Sequence, residues 1–186
     1  MRMVRTLTLA VCAGFSAVAS AAAQDQGSVG ITMGYPAAVG VLWRATETVA
    51  VRPEISFSGG QSETSASTLS SESESSAVGV GVSVLFYVKK ENSLRTYFSP
   101  RFTYSHSTST VTSSSFQASG SKNTGKSTGG SGSFGAEYQL GDKFAVFGEV
   151  GLGFSRTTST GSTDLSLKLT SSSWGTRAGV GVIFFP

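Results

Sequence analysis

Apolar side chains recur at every second position over much of this chain. Val78, Val80, Val82, Val84, Phe86 and Val88 alternate with Gly79, Gly81, Ser83, Leu85, Tyr87 and Lys89. The same period runs through Phe144, Val146, Val150, Leu152 and Phe154, and again through Trp174, Ala178, Val180, Val182 and Phe184. A period of two marks a strand whose faces meet different surroundings. One face here is apolar, and the other is mostly glycine, small polar residues and single charges. The pattern predicts eight strands, over about 27–35, 38–46, 49–59, 76–89, 94–110, 129–140, 143–158 and 172–185.

The connections alternate in length. Thr46-Glu47-Thr48, Lys90-Glu91-Asn92-Ser93 and Gly141-Asp142 read as tight turns, whereas 60–75, 111–128 and 159–171 read as long loops of Ser, Thr and Gly. Tyr35-Pro36-Ala37 is the exception, a short connection on the long side. Pro53 and Pro100 fall inside strands, and since proline cannot donate to a ladder, a local bulge is expected at each. A soluble exported sandwich or barrel is the alternative to a membrane barrel, but it would put charge outside and its apolar face inside. The non-apolar face here is too small and glycine-rich for a solvated exterior. A lipid-spanning sheet reverses that arrangement and must close, because open edges in hydrocarbon leave backbone groups unpaired. The expected fold class is therefore all-β: an eight-stranded antiparallel transmembrane up-and-down barrel, whose interior side chains nearly fill.

Composition narrows the picture further. Charged residues are 13% of the chain, about half the usual share, and Ser and Thr make up about three residues in ten. This excludes a coiled coil, a helical bundle and a disulfide-stapled mini-protein. Arg2 and Arg5, the apolar run Leu7 to Val18 and the small residues Ser20-Ala21-Ala22-Ala23 have the order of a signal peptide. We expect a signal peptide over 1–23, a barrel domain over 24–186 and export through the general secretory pathway. Cys12, the single cysteine, falls in that leader, so the mature chain needs no disulfide. Reading Leu9-Ala10-Val11-Cys12 as a lipoprotein signal is the poorer alternative, since Val11 is bulky and the apolar run continues past the cysteine. Without Arg2 and Arg5 the net charge falls from +3 to +1, so no nucleic-acid partner is expected.

The strand count, the loop alternation and the last strand together resemble the eight-stranded outer-membrane barrels, the OmpA- and OmpX-like proteins of Gram-negative bacteria. In that family the last strand carries a signal for the barrel-assembly machinery: polar, any, Gly, any, any, hydrophobic, any, aromatic. Arg177-Ala178-Gly179-Val180-Gly181-Val182-Ile183-Phe184 fits it, with Arg177, Gly179, Val182 and Phe184 at the specified positions. The family usually ends on the aromatic, whereas Phe185 and Pro186 follow here. The resemblance implies an outer-membrane location in a Gram-negative bacterium, with outer-membrane lipid and lipopolysaccharide around the barrel.

Strand parity sorts the side chains. Arg44, Arg52, Glu54, Arg101, Glu137, Glu149 and Arg177 fall on the inward face, with Tyr87, Tyr97 and Phe147. Isolated charges in a narrow lumen are heavily penalised, so these are expected to pair across it and plug it. Trp43, Phe57, Phe86, Phe98, Phe102, Tyr104, Tyr138, Phe144, Phe154, Trp174 and Phe184 fall on the lipid face, as interfacial girdles require, although aromatics favour strands in any setting.

Catalysis finds little support. The one histidine, His106, lies high on the fifth strand in a Ser/Thr run and reads as a solvated rim residue. The aspartates are scattered over a terminus, a turn and a loop. No catalytic site, metal site or cofactor is expected. Alternation continues through Thr108-Ser109-Thr110-Val111-Thr112 and resumes at Leu165-Ser166-Leu167-Lys168-Leu169. This raises a sheet projecting from the cell surface, weighed against a flexible polar collar. The expected role is a monomeric, non-enzymatic surface protein with a closed lumen, structural or adhesion-like, able to hold an extracellular ligand through its Ser/Thr-rich loops. A narrow porin-like pore for water and small ions is the alternative, and an outer-membrane barrel enzyme the second.

Overall fold

The computed structural model describes residues 27–35, 38–66, 69–113, 119–161 and 168–186. The segment 1–23, expected as a signal peptide, lies outside the described residues. Eight strands follow in order: β1 (Val29–Tyr35), β2 (Ala38–Arg44), β3 (Val49–Ala66), β4 (Leu69–Glu91), β5 (Leu94–Ser113), β6 (Ser119–Gln139), β7 (Phe144–Gly161) and β8 (Lys168–Phe184). Each pairs antiparallel with its chain neighbours, and β8 returns to β1 over Ile31–Phe184 to Tyr35–Val180. The all-β up-and-down barrel that the alternation predicts is therefore closed.

The tight turns are set by local side-chain chemistry. Thr46 Oγ1 accepts hydrogen bonds from Thr48 N (3.2 Å) and Val49 N (2.9 Å), which folds the chain back between β2 and β3. Asn92, between β4 and β5, has φ 51°, a left-handed conformation that asparagine tolerates better than most residues. Gln139 Nε2 donates to Gly141 O (2.7 Å) at the turn before β7. These three turns share one end of the barrel with the C-terminal residues.

At the other end the sequence-based expectation fails. Most of 60–75, 111–128 and 159–171, expected as loops, is strand: β3 and β4 pair as far as Ala66–Leu69, β5 and β6 to Ser113–Ser119, and β7 and β8 to Thr160–Lys168. Serine and threonine do not stop a ladder whose side chains find partners across it. Ser155 and Ser173 hydroxyls are 2.9 Å apart, and Thr157 Oγ1 donates to Ser127 Oγ at 3.0 Å.

The short β1 and β2 give this end its shape. β2 pairs with β3 only as far as Ser56, and β1 with β8 only as far as Val180. Beyond those points Phe57–Ala66 has β4 as its one ladder neighbour, and 168–179 has β7. The six longer strands thus stand above the closed ring as a curved sheet open on one side, on the order of 20 Å tall.

The proline bulges are a second correction. Gly40–Glu54 and Trp43–Val51 bracket Pro53 in one unshifted register, and Ser83–Arg101 and Phe86–Phe98 do the same around Pro100. A strand residue aims its N–H at one neighbour only, so each proline loses bonding at one seam while the other seam, Pro53–Val82 or Pro100–Gly132, holds the register. The register shift in the β4–β5 ladder lies instead between Tyr87 and Lys89.

The outer wall carries a continuous apolar band. On β7 it runs from Phe144 to Phe154 and ends at the exposed Arg156; on β8 it runs from Phe184 to Trp174 and ends at Ser172. That is the length of about 9–11 residues with which a tilted strand crosses hydrocarbon. Trp43, Phe57, Phe86, Phe98, Phe102, Tyr104, Tyr138, Phe144, Phe154 and Trp174 all stand exposed on this wall. Phe184 joins them against Phe144, with ring centroids 5.1 Å apart.

Candidate functional site

The inside of the closed ring is built in layers. At the end with the tight turns lies an apolar floor of Leu42, Ala50, Leu85, Ala145 and Ile183, each at most 1% exposed. Phe185 packs against it, and the Arg44 guanidinium lies 4.6 Å from its ring centre. The residue that departs from the terminal assembly pattern therefore turns inward and covers the floor, while Phe184 of that pattern points outward.

Among and beyond these apolar residues, charges span the lumen in three tiers. Arg44 on β2 pairs with Glu137 on β6, whose other oxygen accepts from Tyr87 Oη at 2.9 Å. Arg52 on β3 pairs with Glu149 on β7 at 2.5 Å, and Tyr97 Oη donates to the same carboxylate at 2.9 Å. Arg101 on β5 pairs with Glu54 on β3. Arg52 is also stacked 4.8 Å above the Phe147 ring, and Tyr87 meets Tyr97 edge to face at 5.6 Å. Each carboxylate is thus met by a guanidinium from another strand, which offsets the desolvation of both. Between the upper tiers, Arg52, Glu54, Arg101, Glu149 and Arg177 border a partly open space of about 20 Å³, room for one water molecule.

Six of the seven inward charges read from parity are brought together as these three pairs. The seventh, Arg177, lies on the inward face of β8 but has no carboxylate within ion-pair distance among the described residues. Arg95 was missed by the sequence reading. It is 8% exposed, with its guanidinium 5.8 Å from the Tyr87 ring centre. Its signal was available, since it shares the parity of Tyr97 and Arg101 on one strand. The inward apolar residues were missed too, because Leu42, Leu85 and Ile183 sit in runs where both faces are apolar.

Glycines let this packing close. A Cβ on Gly135 would lie 2.5 Å from the Tyr97 ring, and one on Gly151 would collide with the backbone of Gly132 and Ser133. Above the charge tiers the inner wall changes to Ser, Thr and Gly, and the space widens into adjoining cavities of about 350 and 340 Å³. His106 lies outside this space, exposed on the outer wall opposite Lys126. Among the described residues no group of three His, Cys, Asp or Glu side chains is placed to hold a metal ion. The expected assembly residues Arg177, Gly179, Val182 and Phe184 all lie on β8, Val182 and Phe184 paired with β1 and Arg177 and Gly179 beyond that seam.

No family model matches the chain, and no curated protein matches it. Among solved structures, a major outer membrane protein from Thermus thermophilus superposes with a TM-score of 0.59 at 12% identity, covering 84% of this chain and 98% of that one. Acinetobacter baumannii CarO matches with a TM-score of 0.46 at 14% identity, over 87% of this chain and 98% of its own. CarO2 of the same organism gives 0.46 at 12% identity, over 86% and 97%. The Thermus structure shares the fold.

Proposed function

We propose that this chain is an integral outer-membrane protein of a Gram-negative bacterium, closed to conduction and acting through the sheet it holds outside the cell. The ion pairs across the lumen carry this reading: three guanidinium–carboxylate pairs, packed with buried apolar side chains, cross the ring from one strand to another. The apolar outer band supports a membrane setting, since such an exterior facing water would be a large exposed hydrophobic surface. The role is a structural or surface-interacting one, without chemistry of its own, reached by export and insertion through the barrel-assembly machinery.

Charges just above the band support a lipid partner. Next after Phe154 on the outer face comes Arg156, and beyond Tyr104 comes His106, opposite Lys126. Cations at that height suit the phosphate groups of lipopolysaccharide. The test of the main reading is the conductance of refolded protein in a planar bilayer, with a heat-modifiable gel band proving that it is folded. The expected result is no steady conductance. Discrete steps would overturn closure and make this a narrow pore.

A further inference from the structure

Arg177 has no carboxylate partner among the described residues, yet it borders two adjoining cavities above the plug. The larger, about 350 Å³, is lined at its base by Glu54, Arg101 and Arg177; the other, about 340 Å³, shares Thr103 and Arg177 with it. Glu54 is taken by Arg101, whose Nε is buried without a hydrogen-bond acceptor among the described residues. The floor of this open space thus holds two guanidinium groups against one carboxylate, with a surplus positive charge at Arg177.

The walls determine what could meet that charge. Ser56, Ser105, Ser131, Ser155 and Ser173 present hydroxyls, and Gly175, where an added Cβ would meet nothing within 4 Å, keeps one side open. The volume is that of a small-ligand site. A guanidinium recognises a carboxylate or phosphate, and a ring of hydroxyls recognises a polyol. We propose that the space above the plug is a binding site for a small hydroxylated anion, a sugar acid or sugar phosphate, with Arg177 as its anchoring cation. This names a ligand class for the surface-interacting role proposed above and rests on that role.

The experiment is calorimetric titration of the folded barrel in detergent with glucuronate and glucose 6-phosphate, with glucose as the neutral control. Saturable binding of at least one anion on the order of 1 mM is expected, weakening with added salt, and none of glucose. Arg177→Gln should weaken it about tenfold or more, the scale of one charge-assisted hydrogen bond. Gly175→Phe keeps every charge and narrows the cavity of about 340 Å³ beside Arg177, so it should weaken binding about tenfold or more, and it tests the site even where Arg177→Gln fails to fold. No saturable binding by either anion, or binding unchanged in the folded variants, overturns the site. Such a result would leave closure untouched, because the same preparation still reports conductance separately.

Discussion

A carboxylate inside a narrow barrel matters through what it leaves behind when removed. Glu149 receives both Arg52 and Tyr97, and Arg52 is 2% exposed, so Glu149→Ala strands a guanidinium away from water. The expected loss is about 3–5 kcal/mol, read as a lower urea midpoint for the folded barrel. Lys89 and Glu91 form an ion pair of similar length, 2.8 Å, but both side chains are more than half exposed. Glu91→Ala should therefore shift the midpoint by no more than about 0.5 kcal/mol. Equal effects from the two variants would mean that the lumen is hydrated enough to screen its pairs. Position inside the ring, more than ion-pair length, sets the difference.

Strand parity makes the barrel legible, because the side-chain period of a strand carries straight through to the choice between wall and lumen. That is why Arg44, Arg52, Glu54, Arg101, Glu137, Glu149 and Arg177 could be placed from sequence. Which charge meets which could not, since Arg44–Glu137 and Arg52–Glu149 join residues far apart in the chain and depend on how the closed sheet curves. The strand limits in the polar extensions fell short for another reason: the alternation at Thr108–Thr112 raised a projecting sheet, but Ser-, Thr- and Gly-rich runs also describe loops, and the ladder that orders them comes from the neighbouring strand. The consequence is measurable. Lys122 and Lys126 lie within β6, paired to β5 on one side and, at Lys126, to β7 on the other. Trypsin added to the folded barrel should leave both bonds uncut under conditions that cleave the heat-unfolded chain; rapid cleavage there would restore the flexible collar. The outer row above the band gives a further expectation. Lys126→Gln with Arg156→Gln should reduce the lipopolysaccharide retained by the purified barrel, without changing its heat modifiability, and full retention would place the lipid contact elsewhere.

The whole molecule divides by what holds each part together. The ring closed by β1 and β2 carries the apolar floor and all three ion-pair tiers. The sheet above it is held by backbone ladders and hydroxyl pairs, with β3 and β8 ending as edges that β1 and β2 do not reach. Closure of the lumen should then survive loss of that sheet. Removing 62–73, 109–123 and 159–169, and joining each pair of strands through Asn-Gly, keeps the registered pairs Gln61–Glu74, Thr108–Thr124 and Thr158–Thr170 at the new ends. The shortened chain should still give a heat-modifiable barrel and still not conduct. A shortened chain that fails to fold would show that the outer strands help form the ring, as nonlocal strand pairing during folding allows. One that folds and conducts would show that the ion pairs need the sheet above them to stay shut.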